Sequence, residues 1–212
     1  MGHRDTRDSH TEHRGALGSF APLLLGGGIG AGKSKVLAEF LRAGFVVIET
    51  DTIGHEVLDA RTESGRLVMA RWPEAVVAGS VDRAKLAGIV FRHPSALAEL
   101  EAISHPAIWS RVEARVAAAA QDSPGSRVIV EIPLLRLHAT SPWLKVAVLA
   151  PEDVRIARAV ARGADVADVV ARIANQEPDE AWAEWADVVI DNEGEWASTL
   201  QAIERLVSGV AP

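Results

Sequence analysis

The sequence contains no cysteine, which excludes disulfides, thiolate metal sites and cysteine nucleophiles in one stroke. No apolar run approaches the ~20 residues that a membrane-spanning helix needs. There is little positive charge to spare: 22 Lys and Arg stand against 29 Asp and Glu, for a net charge of −7. A broad nucleic-acid footprint needs a dominant basic face, so the expectation is no nucleic-acid and no membrane partner. One small basic pocket for a nucleotide remains compatible with that balance. Tyrosine is absent too, while tryptophan occurs six times. Trp182 and Trp185 lie three residues apart and read as core or interface packing rather than as a stacking site.

What is present describes an ordinary globular chain. Hydrophobic residues make up 48% of it and charged residues 24%, enough to bury a sizeable core. Residues 1–20 are polar, rich in His, Arg and Asp, and lack the apolar segment of a secretory signal. They read as a flexible extension, with His3, His10 and His13 solvated rather than ligating a metal. Residues 21–212 then form the domain, and cytoplasmic residence is the expectation.

The domain alternates strand and helix. Residues 21–25 are a short apolar run, a glycine cluster follows, and residues 34–43 show helical spacing that stops at Gly44. Residues 45–48 give a second strand. From Asp51 to about residue 120 the pattern is helical, without strand alternation, with breaks near Pro73, Gly79 and Pro94 and a kink at Pro106. Further strands are expected at residues 127–131, 144–149 and 188–190, and helices at 152–162, 166–176, around 182–185, and at 195–207. Short β-branched runs alternating with helices predict an α/β fold with a central parallel sheet flanked by helices.

The glycine cluster carries the chemistry. Gly27, Gly28, Ile29, Gly30, Ala31, Gly32, Lys33 and Ser34 match G-x-x-x-x-G-K-S between a predicted strand and a predicted helix, the context that gives the pattern meaning. Backbone amides there turn inward on phosphates, and the helix presents the positive end of its dipole to the same anion. Lys33 can reach the β and γ phosphates of ATP and the Ser34 hydroxyl can ligate Mg2+.

Asp51 follows the second strand, at the end of the sheet where the glycine loop opens. It is a candidate general base for an acceptor hydroxyl, with a helix N-cap as the alternative, and the two roles are not exclusive. Glu131 ends the third predicted strand, where an acid can sit near Mg2+ through water or merely cap a turn. Arg155, Arg158 and Arg162 share one helix and can neutralise a transferring phosphoryl group or line a solvated face.

In this order, the segments resemble the dephospho-coenzyme A kinase family from about residue 23 to 207. The matching motifs are GGGIGAGKS at residues 26–34, VIETDTIGHEV at 47–57, VDRAKL at 81–86, LEAISHP at 100–106, IPLL at 132–135, RAVAR at 158–162, RIANQ at 172–176 and ADVVIDN at 186–192. The resemblance implies a P-loop kinase fold and transfer of the γ-phosphate of ATP to the ribose 3′-hydroxyl of dephospho-coenzyme A. It implies Asp51 as base, Lys33 and Ser34 as phosphate and magnesium anchors, and Arg158 and Arg162 as lid arginines within residues 151–176. It further implies Arg83 and His105 facing the acceptor from a helical region over residues 60–120, and Gln176 and Asn192 near the adenine.

Five positions depart from the family's pattern: Glu49 and Glu131 stand where aspartates are usual, Lys35 where a threonine is, and Arg136 with Leu137 where an aromatic and a glutamate are. These bear on acceptor choice. The alternatives are a shikimate- or gluconate-type kinase, or a nucleotide-binding regulatory module without transfer activity. A monomer or weak homo-oligomer is the expected state.

Overall fold

The computed structural model describes residues 22–137 and 142–209. The extension over residues 1–20, with His3, His10 and His13, lies outside the described residues, as does the side chain of Arg136.

Five strands form one parallel sheet: β1 (Leu23–Gly26), β2 (Val46–Glu49), β5 (Val128–Glu131), β6 (Leu144–Leu149) and β7 (Val188–Asp191). They lie in the order β2-β5-β1-β6-β7. β1 therefore occupies the centre. It pairs with β5 on one side, Leu25 opposite Glu131, and with β6 on the other. β2 lies at the edge among the described strands and pairs with β5, Glu49 opposite Glu131.

Because strand side chains alternate between faces, β1 feeds two cores. Leu23 and Leu25 join Val36 and Phe40 of α1 (Lys33–Arg42) and Ile203 of α9 (Trp196–Val207) on one face. Leu24 joins Ile53 of α2 (Thr50–Val57), Ile108 and Val112 of α5 (Pro94–Asp122), and Trp182 of α8 (Asp179–Trp185) on the other. Leu24 and Leu25 are fully buried, each worth roughly 1.5–3 kcal/mol by removal from water. Trp182 is core, as its spacing predicts, with 1% of its surface exposed.

A smaller core of Val68, Trp72, Ala75, Leu86 and Val90 joins α3 (Glu63–Arg71) and α4 (Arg83–Val90) to α5. Thr62 caps α3, its hydroxyl oxygen accepting the Gly65 amide at 2.9 Å, and Asp82 caps α4 through the amides of Ala84 and Lys85. One strand pair does intrude among these helices, contrary to the sequence reading: β3 (Val76–Val77) and β4 (Ser80–Val81) form an antiparallel hairpin. Its two turn residues, Ala78 and Gly79, have φ of 51° and 79°, the positive pair that matches the twist of a tight hairpin. Two-residue strands are too short to show alternation. α5 continues as a helix through Pro106. Burial of Ser104, Ile108 and Val112 holds the helix on both sides of the missing amide.

The last layer is α6 (Glu152–Ala161) against α7 (Val166–Ala174). Ala159, Val169 and Ile173 form its core, and Ile29 from the glycine loop packs into it.

Candidate functional site

The glycine loop leaves the central strand β1 and enters α1, so the chain turns sharply at the sheet's carboxyl edge. Gly32 is the helix N-cap, with φ of 103° and no side chain to donate or block. A Cβ there would fall 2.2 Å from Asn192 Nδ2, so conformation and space both demand glycine. The first amides of α1 lie ahead of the helix's own hydrogen-bond ladder, where an anion can accept from them.

Side chains from distant segments hold the loop in place. Gln176 Oε1 accepts the Ile29 amide at 2.8 Å. Asn192 Nδ2 donates to the Ala31 carbonyl at 2.7 Å, while Thr199 Oγ1 donates to Asn192 Oδ1 at 3.1 Å. Arg158 Nη2 donates to the Asn192 carbonyl at 2.8 Å. Gln176 and Asn192, which the resemblance puts near the adenine, thus stand against the loop backbone itself. Thr199 carried no signal in the sequence, since a helical threonine four residues past a turn has no distinctive pattern.

Lys33 Nζ donates to the carbonyls of Gly27 at 2.8 Å and Gly28 at 3.3 Å, and lies 3.7 Å from Glu131 Oε1. Burial pushes the ammonium's pKa down; the charges of Glu131 and Asp51 oppose that push and Arg155 adds to it. Burial likewise pushes the Glu131 carboxyl up, which Lys33 opposes and Asp51 and Glu49 reinforce. Both partners are therefore driven toward their neutral forms, because neither charge is fully compensated in a desolvated place. Such a site is short of an anion on the lysine side and of a cation on the acid side.

The strand order explains the acids. β5 is inserted between β1 and β2, so Glu131 stands between the loop and the Glu49–Asp51 corner rather than beyond it. Asp51 is exposed and lies in the first turn of α2, whose N-cap is Glu49. This corrects the N-cap reading of Asp51: it is a first-turn acid of α2 and does not cap the helix.

Ser34, the second residue of α1, is exposed. Arg83 opens α4 and Arg162 follows the end of α6, both exposed, while His105 sits half-buried along α5. Arg83 and Arg162 stand outside the described hydrogen-bond network of the loop. Lys35, a departure from the family pattern, places its ammonium 3.6 Å from the ring centroid of Trp196 and so ties α1 to α9. Leu137, another, is buried in the α2–α5 face of the core.

Among the described residues no group of three or more His, Cys, Asp or Glu side chains forms a metal cage. The oxygens at hand, the Ser34 hydroxyl and the Glu131 carboxylate, nevertheless suit a hard divalent ion that keeps waters and shares substrate phosphates. Among the same residues no helix is long and apolar enough to cross a membrane.

Comparison with known proteins agrees with this geometry. The family model for dephospho-CoA kinase matches residues 23–198. A dephospho-CoA kinase from Thiobacillus denitrificans is 38% identical over 188 residues, covering 86% of this chain and 91% of its own. One from Streptomyces avermitilis is 38% identical over 191 residues, covering 88% and 90%. A crystal structure from Thermus thermophilus superposes with a TM-score of 0.73 at 30% identity, covering 91% of this chain and 99% of that one.

Proposed function

This chain belongs to the dephospho-CoA kinase family, and on that premise we propose how its residues carry out the ATP-dependent phosphorylation of dephospho-CoA to CoA. The observation that carries the reading is the meeting of Lys33 and Glu131 at 3.7 Å beneath a phosphate loop, with Asp51 close enough to act on the charge of both.

ATP lies with its β and γ phosphates on the loop, between the amides that open α1 and the Lys33 ammonium, which leaves Glu131 and the loop carbonyls for the more strongly charged partner. The ribose 3′-hydroxyl of the acceptor approaches from the α2 side. Asp51 takes its proton as the oxygen bonds to the γ-phosphorus and the bond to the β–γ bridging oxygen breaks, releasing ADP. Charge gathering on the transferred group is met by Lys33 and Arg158. Mg2+ would be held by Ser34 directly and by Glu131 through water, and supplies neutralisation of the phosphate oxygens.

The helical segment over residues 60–120 is the acceptor-binding region, offering Arg83 and His105 to the charged portion of dephospho-CoA. Residues 151–176 act as a lid, with Arg162 closing inward as Gly163 flexes; Gly163 has φ of 92° and open space around it. Gln176 and Asn192 serve the nucleotide by shaping the loop, close to where the adenine leaves it. The reaction belongs to the cytoplasm, where ATP is supplied.

The test is direct. Purified protein is incubated with ATP, Mg2+ and an equimolar mixture of dephospho-CoA, shikimate and gluconate, and products are identified by mass spectrometry. CoA and ADP in equal amounts are expected. Phosphorylation of another acceptor, or ATP binding without any product, would overturn the assignment. Family membership favours dephospho-CoA over those rivals.

A further inference from the structure

Arg155 is 4% exposed, an uncommon burial for a guanidinium. Nη1 donates to Asp179 Oδ1 at 3.1 Å across the gap between α6 and α8. Nε has no acceptor among the described residues. A buried arginine that served only to tie two helices together would be expected to satisfy its remaining donors. This one is turned toward the glycine loop instead. A Cβ built on Gly28 would fall 1.9 Å from Arg155 Nη1, and one built on Gly30 would fall 2.4 Å from the Arg155 carbonyl oxygen. Side chain and main chain of one residue therefore bear on two successive glycines of the loop.

Neighbours of Arg155 grip the same stretch. Ile29, between those glycines, gives its amide to Gln176 and packs its side chain against the cluster of Ala159, Val169 and Ile173. The Arg155 charge is felt at the Lys33 ammonium, which it destabilises. Two cations are thus fixed at one loop, held there by a partly exposed aspartate and a partly buried glutamate. Mutual repulsion is relieved when a polyanion lies between or beside them.

We propose that Arg155 is a positioning residue for the triphosphate: clamped by Asp179, it holds residues 28–30 in their anion-accepting shape before the nucleotide arrives and adds a second fixed positive charge beside Lys33. Its action is on nucleotide affinity, through the loop. The inference rests on the nucleotide reading of that loop.

The experiment compares Arg155→Met, Arg155→Lys, Asp179→Asn and the double variant Arg155→Met with Asp179→Asn. Each is followed by titration with a fluorescent N-methylanthraniloyl ATP and by steady-state kinetics with dephospho-CoA. Arg155→Met is expected to raise the Kd and the KM for ATP by about tenfold or more while kcat stays within about threefold, because the charge is already in place in the ground state. The KM for dephospho-CoA stays within about twofold. Arg155→Lys recovers part of the loss. Asp179→Asn raises the ATP KM by about threefold, and the double variant is no worse than Arg155→Met alone, since Asp179 acts through Arg155.

A purely structural role would lower the melting temperature and leave the ATP KM within about twofold of wild type; that result overturns the proposal. If Arg155→Met does not fold, Asp179→Asn decides on the same criterion. Failure of the wild-type protein to bind the fluorescent nucleotide would instead reject the loop's nucleotide reading, whereas wild-type binding matched by Arg155→Met rejects the role of Arg155 alone.

Discussion

Replacing Lys33 and Glu131 together, as Lys33→Met with Glu131→Gln, is expected to stabilise the fold while abolishing most of its chemistry. The two groups face each other at 3.7 Å with 15% and 14% of their side-chain surface exposed. At an effective dielectric near 20, two charges at that separation attract by roughly 4 kcal/mol. Taking each out of water costs several kcal/mol. The net is unfavourable to both charges, as the direction of each pKa shows.

The signs agree. Lys33 binds its proton less tightly in the folded chain, so its charge opposes folding at every pH below its lowered pKa, and stability recovers only as pH rises from there to the ordinary lysine value. Glu131 binds its proton more tightly in the folded chain, so its charge opposes folding at every pH above its raised pKa. Both costs are present in full at any pH above the raised pKa of Glu131 and below the lowered pKa of Lys33.

A neutral pair of similar volume therefore gains about 1–2 kcal/mol, at the lower end for replacing buried pairs because some solvent reaches both groups. For a chain of this size that is a rise in Tm of roughly 2–8 °C. Lys33→Met alone leaves Glu131 without its cation and gains less, or loses stability, until the carboxyl takes up a proton. Turnover falls about 10²–10³-fold or more in both variants. Thermal unfolding followed by circular dichroism at pH 7.5, with ADP release measured on the same samples, decides the matter. A double variant less stable than wild type by more than about 1 kcal/mol would refute the reasoning about uncompensated burial. Retention of more than about a tenth of wild-type turnover would refute the role of the lysine.

Asp51→Asn should leave ATP affinity close to wild type and cut turnover by roughly 10²–10⁴-fold; comparable turnover in the variant would reduce Asp51 to a favourable charge at the start of α2. The acid limb of kcat/KM for ATP should lie above the ordinary carboxylate range, because Glu131 must be ionised and its pKa is raised; a limb at the usual position, or an unchanged limb in Glu131→Gln, counts against it. Gly32→Ala forces a side chain into φ of 103° and onto Asn192, at a cost of about 1–3 kcal/mol, and calorimetry should show ATP affinity falling with it. Thr62→Ala removes the cap of α3 and should lower stability by about 1 kcal/mol, roughly 2–4 °C in Tm, with turnover unchanged.

The elements of the sheet were legible because each strand is a short, largely apolar run, and the phosphate loop because its lysine and serine follow the glycines at fixed places. The order of the strands was not, since a crossover from β1 to β2 leaves open whether another strand later enters between them; β5 does, and puts Glu131 at the centre of the charges. The hairpin at Val76–Val81 escaped because two residues per strand carry no period. Asp51, Lys33 and Glu131 could be placed from their positions at strand ends, where backbone topology fixes location. Arg155 could not be separated from Arg158 and Arg162 on that ground: spacing along a helix gives the face, but which arginine is buried depends on what the face meets, here Gly28, Gly30 and Asp179. Gln176 and Asn192 entered only through the family resemblance, which puts them near the adenine; their hold on the Ile29 amide and the Ala31 carbonyl depends on side-chain direction.

The strand order also polarises the site. With β1 central, the loop has β5 and then β2 on one side, and β6 and then β7 on the other. Glu131, Asp51 and Glu49 all come from the first side, at or just past the ends of β5 and β2. Arg155 and Arg158, which follow β6, and Asn192, which follows β7, all come from the second. A chain of net charge −7 thereby presents cations and amides on the side proposed for the triphosphate and carboxylates on the side proposed for the acceptor hydroxyl. Lys33 stands on the boundary, bonded to loop carbonyls and facing Glu131. Placing Asp51 among the arginines would neutralise the anion site, and placing an arginine beside Asp51 would weaken it as a base by favouring its ionised form. On the proposed chemistry, topology sets the acids at the ends of β5 and β2 apart from the arginines that follow β6 before any single side chain is chosen, with Asp179 the one acid named on the arginine side, where it clamps Arg155.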